Sequence, residues 1–137
     1  METDKMYESW LKERNNNSYR VCSIDDLINL TLKQETYEKN VIVKGKIGKK
    51  SLPAGERGYI CFTIEDEKTG KSIISSTSVS QSCDYHYDAL SEVGDSVSIA
   101  GVYSPRKMLL SAQYMFNKSL MKDMLNESGD KGDKNGT

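Results

Sequence analysis

From Asn40 to Asn117 the chain repeats one pattern, a short run of alternating apolar and polar residues closed by glycine and charge. Period-two alternation predicts strands, because successive side chains point to opposite faces of a pleat. In NVIVKGKI, Val41, Val43, Gly45 and Ile47 share one face, and Lys44 and Lys46 take the other. A second strand, Tyr59 to Glu65, sets Ile60, Phe62 and Ile64 on a core face and Tyr59, Cys61 and Thr63 opposite. Thr69-Gly70 supplies a hairpin turn into a third strand whose apolar residues are Ile73 and Ile74. Its later serines, at 75, 76, 78 and 80, carry no hydrophobic signature. Gly94-Asp95 then turns the chain into a fourth strand ending at Tyr103, where Val97, Ile99 and Gly101 repeat the spacing of the first. Ser104 to Lys107 forms the next turn, and a fifth strand takes Met108 to Phe116 with Leu110 and Ala112 inward.

Helical spacing marks the flanks. Met6, Tyr7, Trp10 and Leu11 fall on one face of a helix over Met1 to Arg14, which the asparagine run 15–17 ends, and Trp10 reads as packing on the barrel or a partner before stacking on a base. Ser23 caps a second helix with Asp25 and Asp26 in its first turn, favourable to the helix dipole. Ile24, Leu27 and Ile28 form its apolar face, Thr31 takes the next position, and Leu30 and Leu32 keep that end apolar. Glu35 to Lys39 is a polar connection. Pro53, Gly55 and Gly58 make the segment from Lys49 to Gly58 the loop between the first two strands. Leu120, Met121, Met124 and Leu125 give a last short helix with one apolar side, and SGDKGDKNGT after it has nothing to bury and should be disordered.

In this order VIVKGKI, FTIEDEKTGKSI, DALSEVGD, VSIAGVY and LLSAQYM resemble an OB-fold. The resemblance is in particular to the anticodon-binding-type family that includes the OB domain of the exonuclease VII large subunit. It covers somewhat over half of the chain and rests on the order of the strands, not on one motif. It implies an all-β fold: a five-stranded OB-fold barrel with a helical N-terminal lead-in, a helix between strands three and four, and a short C-terminal helix. The inserted helix would span 82–93, with Leu90 and Val93 plugging the open end of the barrel. The organisation expected is an extension over 1–20, the OB-fold domain over 21–117, and a short helix with a disordered tail over 118–137. Such barrels bind oligonucleotides, oligosaccharides or proteins, so the site must be argued separately.

Composition narrows the classes. A chain of 137 residues has enough length for one small core. Its formal net charge of -1 and pI near 5.9 exclude a polybasic protein, so nucleic-acid binding requires local charge. No apolar run of about 18 residues is present to span a bilayer, and METDKMYESW lacks the regions of a signal peptide, so a cytoplasmic location is expected. Cys22, Cys61 and Cys83 have no CxxC spacing and read as free thiols. Cys83 and His86 lack two further zinc ligands nearby, and Glu65, Asp66 and Glu67 read as a polar hairpin turn before a cation site. With His86 the only histidine, and neither GxxxxGK[ST] nor GxGxxG present, no catalytic constellation, metal or cofactor is expected and enzyme activity is disfavoured.

Basic residues nonetheless cluster. Lys44, Lys46, Lys49, Lys50 and Arg57 lie on the first strand and its loop, and Arg106 and Lys107 on the turn before the fifth strand. In the fold this chain resembles, those two loops flank the outer face of strands two and three, where phosphates meet cations and outward aromatics stack bases. Tyr59 is the first outward aromatic candidate and Tyr103 the second, while Tyr85, His86 and Tyr87 sit where they would edge the groove. The competing reading makes the lysines a solvated strand face and the tyrosines covers for the barrel ends. The expected function is binding of single-stranded DNA or RNA with low sequence specificity. The alternative is an OB-fold protein-interaction subunit of a larger nucleic-acid-processing complex, docked through Trp10 and the Met121–Met124 helix; the near-neutral charge favours it.

Overall fold

A computed structural model of the chain describes residues 2–51, 59–78 and 90–125, with Tyr59 and Ser78 described through their backbone alone. The elements are α1 (Glu2–Asn16), β1 (Arg20–Val21), α2 (Ile24–Leu32), β2 (Lys39–Ser51), β3 (Tyr59–Glu65), β4 (Ser72–Ser78), β5 (Ser96–Ser104) and β6 (Leu109–Asn117). A third helix, α3, covers 118–125. The strands run in the order β1-β2-β3-β4-β6-β5, and β2 also pairs with β5, so β2 to β6 close into a five-stranded barrel with β1 as an extra strand. All barrel pairings are antiparallel except β4 with β6. The five strands read from the sequence are therefore β2 to β6.

Closure rests on β2, which is thirteen residues long. Its first half pairs with β5 on one edge and with β1 on the other; from Lys46 onward the second edge belongs to β3. Between Ile47 and Lys49 the register with β3 slips by one residue, a bulge at Gly48. A second bulge in β6 lets Ala112 face Gly101 and Tyr114 face Ala100. An extra residue bends a strand and reverses which face the following side chains occupy. In β6 the inward set accordingly changes from Leu110 and the half-buried Ala112 to Met115. Gly101 is required at this crossing, because a Cβ there would stand 2.1 Å from the Ser111 carbonyl oxygen.

The interior is filled by Val41, Val43 and Ile47 of β2, Ile60, Phe62 and Ile64 of β3, Ile73 of β4, Val97, Ile99 and Tyr103 of β5, and Leu110 and Met115 of β6. Each such side chain contributes about 1.5 to 3 kcal/mol when fully buried. In β4 the inward face continues from Ile73 to Ser75 and Thr77, both buried, while Ile74 points out and is half exposed. Ser75 pairs with Phe62 on one side and Leu110 on the other, and a small residue between two large ones fits a narrow barrel.

One barrel end is closed by α2. Ser23 caps it by accepting the Asp26 amide at 3.0 Å, and Ile24 and Leu27 insert into the core. Lys71 pairs with Asp25 at 3.5 Å and ties α2 to the start of β4. α2 thus stands between β1 and β2, ahead of the barrel strands. The helix expected over 82–93 falls largely outside the described residues, as does the C-terminal tail. Leu90 and Val93, expected to plug the barrel, are exposed, with Ile24 and Leu27 of α2 in the core instead. Leu32, read as part of the apolar end of α2, is exposed. On the outer wall α1 lays Tyr7, Trp10 and Leu11 over Ile42, Ala100 and Phe116, with Met121 of α3 beside them. Arg14, on the same helix face, is buried over the ring of Tyr114, its Cζ 3.9 Å from the centroid.

Asn117 joins β6, α3 and the approach to β5. It is fully buried; its Nδ2 donates to Ser91 Oγ at 2.8 Å and Asp95 Oδ2 at 2.9 Å, and its Oδ1 accepts the Leu120 amide at 2.8 Å. Asn117→Ala removes a helix cap and a charge-assisted hydrogen bond and should cost about 2 to 4 kcal/mol. Urea denaturation of the two proteins measures the difference, and a loss below about 0.5 kcal/mol would deny Asn117 this role.

Candidate nucleic-acid and partner interfaces

The lysine-bearing strand divides. Lys44, Lys46 and Lys49 are exposed. Lys50 is not part of their row: the Gly48 bulge sets it opposite the inward Phe62, and its Nζ donates to the Ser91 carbonyl at 2.7 Å. The sequence put Lys49 and Lys50 in the loop after the first strand, but β2 runs on through the bulge to Ser51, so the pleat gives each of them a face. Arg57 lies outside the described residues. Tyr59 opens β3 with its backbone opposite Ser78, and its side chain is likewise outside them. Cys83, Tyr85, His86 and Tyr87 also fall there.

Tyr103 is corrected outright. It is fully buried in the barrel and cannot stack a base. Its hydroxyl meets Thr31 Oγ1 at 2.8 Å, and the Thr31 hydroxyl donates onward to the Pro105 carbonyl at 2.9 Å, so Tyr103 donates and Thr31 relays. Arg106 and Lys107 are exposed in the turn that follows. This turn is at the α2 end of the barrel, whereas Lys49 and Lys50 approach the opposite end.

Carboxylates crowd the remaining lysines. Lys46 is registered opposite Glu65, and the side chain of Glu65 fills the space above Gly48, where a Cβ would stand 1.6 Å from Oε2. Lys46 shares a 550 Å³ groove with Glu65, Asp66 and Glu67, and Lys44 a 500 Å³ groove with Asp66, Glu67, Lys68 and Lys118. No cluster of three metal-ligating side chains occurs among the described residues. The acidic hairpin tip therefore offsets the positive field of the lysine row.

A different concavity lies between α1 and the β6–α3 corner. This groove of 570 Å³ is floored by Trp10, Met115, Phe116 and Met121 and rimmed by Met6, Glu2, Lys5 and Glu13. Trp10, read as packing on the barrel or on a partner, packs on the barrel, and both it and Met121 of the expected docking helix are more than nine-tenths buried against the wall. Aromatic packing holds Trp10 there, with Phe116 at 6.0 Å and Tyr7 at 6.1 Å between ring centroids. Met6 and Met124 are the exposed apolar side chains of the two helices. Tyr37, within the segment read as a polar connection, is 53% exposed and was passed over; an aromatic in such a run was the signal.

No protein-family model matches the chain. No curated protein matches it either. Among solved structures, the crystal structure of yeast Stn1 and Ten1 superimposes with a TM-score of 0.53 at 11% identity, over 85% of this chain and 73% of that one. Closed topology and structural likeness agree: the protein is an OB-fold domain. No described helix is long and apolar enough to cross a membrane.

Two measurements check these placements. Tyr103→Phe should lower stability by about 1 kcal/mol through the lost hydroxyl bond and leave oligonucleotide affinity unchanged; an affinity loss in a stably folded variant would return Tyr103 to a surface role. Burial pushes the Cys22 thiol up, against Lys39 and together with Asp26. Burial pushes the Tyr19 phenol up as well, reinforced by Tyr114 and opposed by Arg14. The folded state holds both protons more tightly, so this stabilisation is present below the ordinary thiol and phenol values, about 8.5 and 10, and lost as pH rises through the raised ones. Urea midpoints should fall between pH 7.5 and 10.5, and by less in the Cys22→Ala, Tyr19→Phe double variant.

Proposed function

We propose that this protein is a non-catalytic OB-fold interaction subunit of a nucleic-acid-processing assembly, which it joins through the groove between α1 and the β6–α3 corner. The groove carries the reading. Its apolar floor is already packed against the barrel wall, its rim offers the thioether of Met6, and helices border it. From Glu2 to Glu13 it follows α1 for about 16 Å, three helical turns, a length suited to one amphipathic helix of a partner protein. The yeast structure that the chain resembles contains two proteins, Stn1 and Ten1, which agrees with a fold employed in company. Trp10 and Met121 act as the floor beneath the partner, in place of the projecting anchors expected from the sequence. A cytoplasmic location and the lack of metal or cofactor remain part of this reading.

Direct binding of single-stranded DNA or RNA with low specificity is the second reading. The exposed Lys44, Lys46 and Lys49 favour it, as does the narrower resemblance to the exonuclease VII OB domain. The carboxylates at 65–67 and the burial of Tyr103 weigh against its principal surface. Affinity capture from nuclease-treated extract of the native cells should recover one partner in stoichiometric amount with wild type and with Lys46→Glu, and lose it with Met6→Glu. Recovery by all three proteins would sink the groove. Absence of any stoichiometric partner, together with oligo-dT or oligo-rU binding that falls steeply with salt, would transfer the function to the second reading.

A further inference from the structure

Base stacking needs an exposed ring, and among the described residues Tyr37 is the one aromatic side chain in the exposed class. Its neighbourhood follows from the barrel register. Lys39, two residues on, pairs with Tyr103, and β5 continues for one residue before the turn that carries Arg106 and Lys107. With about 3.3 Å per residue and 4.8 Å between strands, Tyr37 lies on the order of 10 Å from that turn along the backbone. Thr31 fastens the end of α2 to the same place through the Pro105 carbonyl, and the C-cap residue Lys33 follows two positions later.

Charge at this corner differs from that of the β2 row. Lys33 and Lys39 line one groove with the Asp26 carboxylate, and Arg106 and Lys107 are exposed in the turn after β5. Glu35 and Glu38 belong to the connection that carries Tyr37, and none of the four cations enters an ion pair among the described residues. Met108 adds apolar surface, 44% exposed, at the end of the turn. An open ring in a segment bordered by cations that hold no ion pair among the described residues matches the two repeating chemistries of a single strand, base faces and phosphates.

We propose that this corner is a binding site for single-stranded nucleic acid, with Tyr37 stacking a base and Lys33, Arg106 and Lys107 meeting phosphates. It rests on the nucleic-acid half of the reading above and lies away from both the groove and the Lys44, Lys46, Lys49 row. Stacking tolerates any base and phosphate contacts carry no sequence information, so the site is indifferent to sequence.

Anisotropy titrations of labelled oligo-dT and oligo-rU at two salt concentrations test it on the full chain. Tyr37→Ala should weaken binding roughly 5- to 100-fold with the salt slope kept, and Tyr37→Phe should restore it. The double variant Arg106→Ala, Lys107→Ala should flatten the slope by about 1.4, while Lys44→Ala, Lys46→Ala should bind nearly as wild type. If wild type binds but only the Lys44, Lys46 variant is impaired, the corner is wrong and the nucleic-acid reading stands on β2. Failure of wild type to bind either oligomer at low salt overturns both. Loss of a captured protein partner on Tyr37→Ala, without oligomer binding, would make the corner a protein surface and likewise overturn the proposal.

Discussion

A single strand serving two sheet edges is the constraint on which the structure depends. Because β2 hydrogen-bonds to β5 and also to β3, the sheet must roll up, and β2 must bend within its own length. Bending a ladder without breaking it requires places where backbone can approach backbone. Gly45 is one, since a Cβ there would meet Ile64 Cγ2 at 2.6 Å and the Glu65 carbonyl oxygen at 2.7 Å. The Gly48 bulge is the second, and Gly101, opposite Val41 of β2, permits the close approach of β5 to β6. Closed in this way, the five strands hide their edges and leave only the two-residue β1 as a border, too short to recruit foreign strands.

Rolling the sheet also distributes charge and apolar surface. The β3–β4 hairpin is carried beside the middle of β2, so the carboxylates of Glu65, Asp66 and Glu67 share grooves with Lys44 and Lys46. At comparable distances, opposite charges cancel much of the field that a phosphate would feel. Elsewhere the wall is apolar on its outer side as well, at Ile42, Ala100 and Phe116, and α1 exists to cover it. That second layer makes a lid of the helical extension, and the imperfect seam between lid, wall and α3 is the groove.

The end of the barrel sealed by α2 shows how core and surface are coupled. Tyr103 fills the interior and holds Thr31, which in turn holds the Pro105 carbonyl. One chain of hydrogen bonds thereby fixes the base of the turn bearing Arg106 and Lys107 relative to the helix bearing Lys33. Cations on mobile loops lose entropy when they meet a ligand; cations whose loop is anchored from inside lose less. The opposite end is secured differently, by Asn117 with Ser91 and Asp95, where every side-chain donor and acceptor of the asparagine is engaged.

The sequence by itself determined the strands, the Ser23 cap and most of the interior, because burial on one face of a pleat enforces period two locally. Val41, Val43, Ile47, Ile60, Phe62, Ile64, Val97, Ile99 and Leu110 are all inside as that period requires. The inward Tyr103 is legible too, since it continues the alternation Val97, Ile99, Gly101. What only the tertiary structure decided are the places where period two is broken or made irrelevant by a distant neighbour. Bulges turned Lys50 inward and replaced Ala112 by Met115 as the inward residue, because an extra residue reverses parity and is fixed by the curvature of the partner strand. Packing of α1 buried Trp10 and Met121, and barrel closure set carboxylates beside the lysine row and the start of β2 beside the end of β5. Those outcomes depend on which strands meet across the barrel, a relation between remote segments that no local pattern of residues encodes.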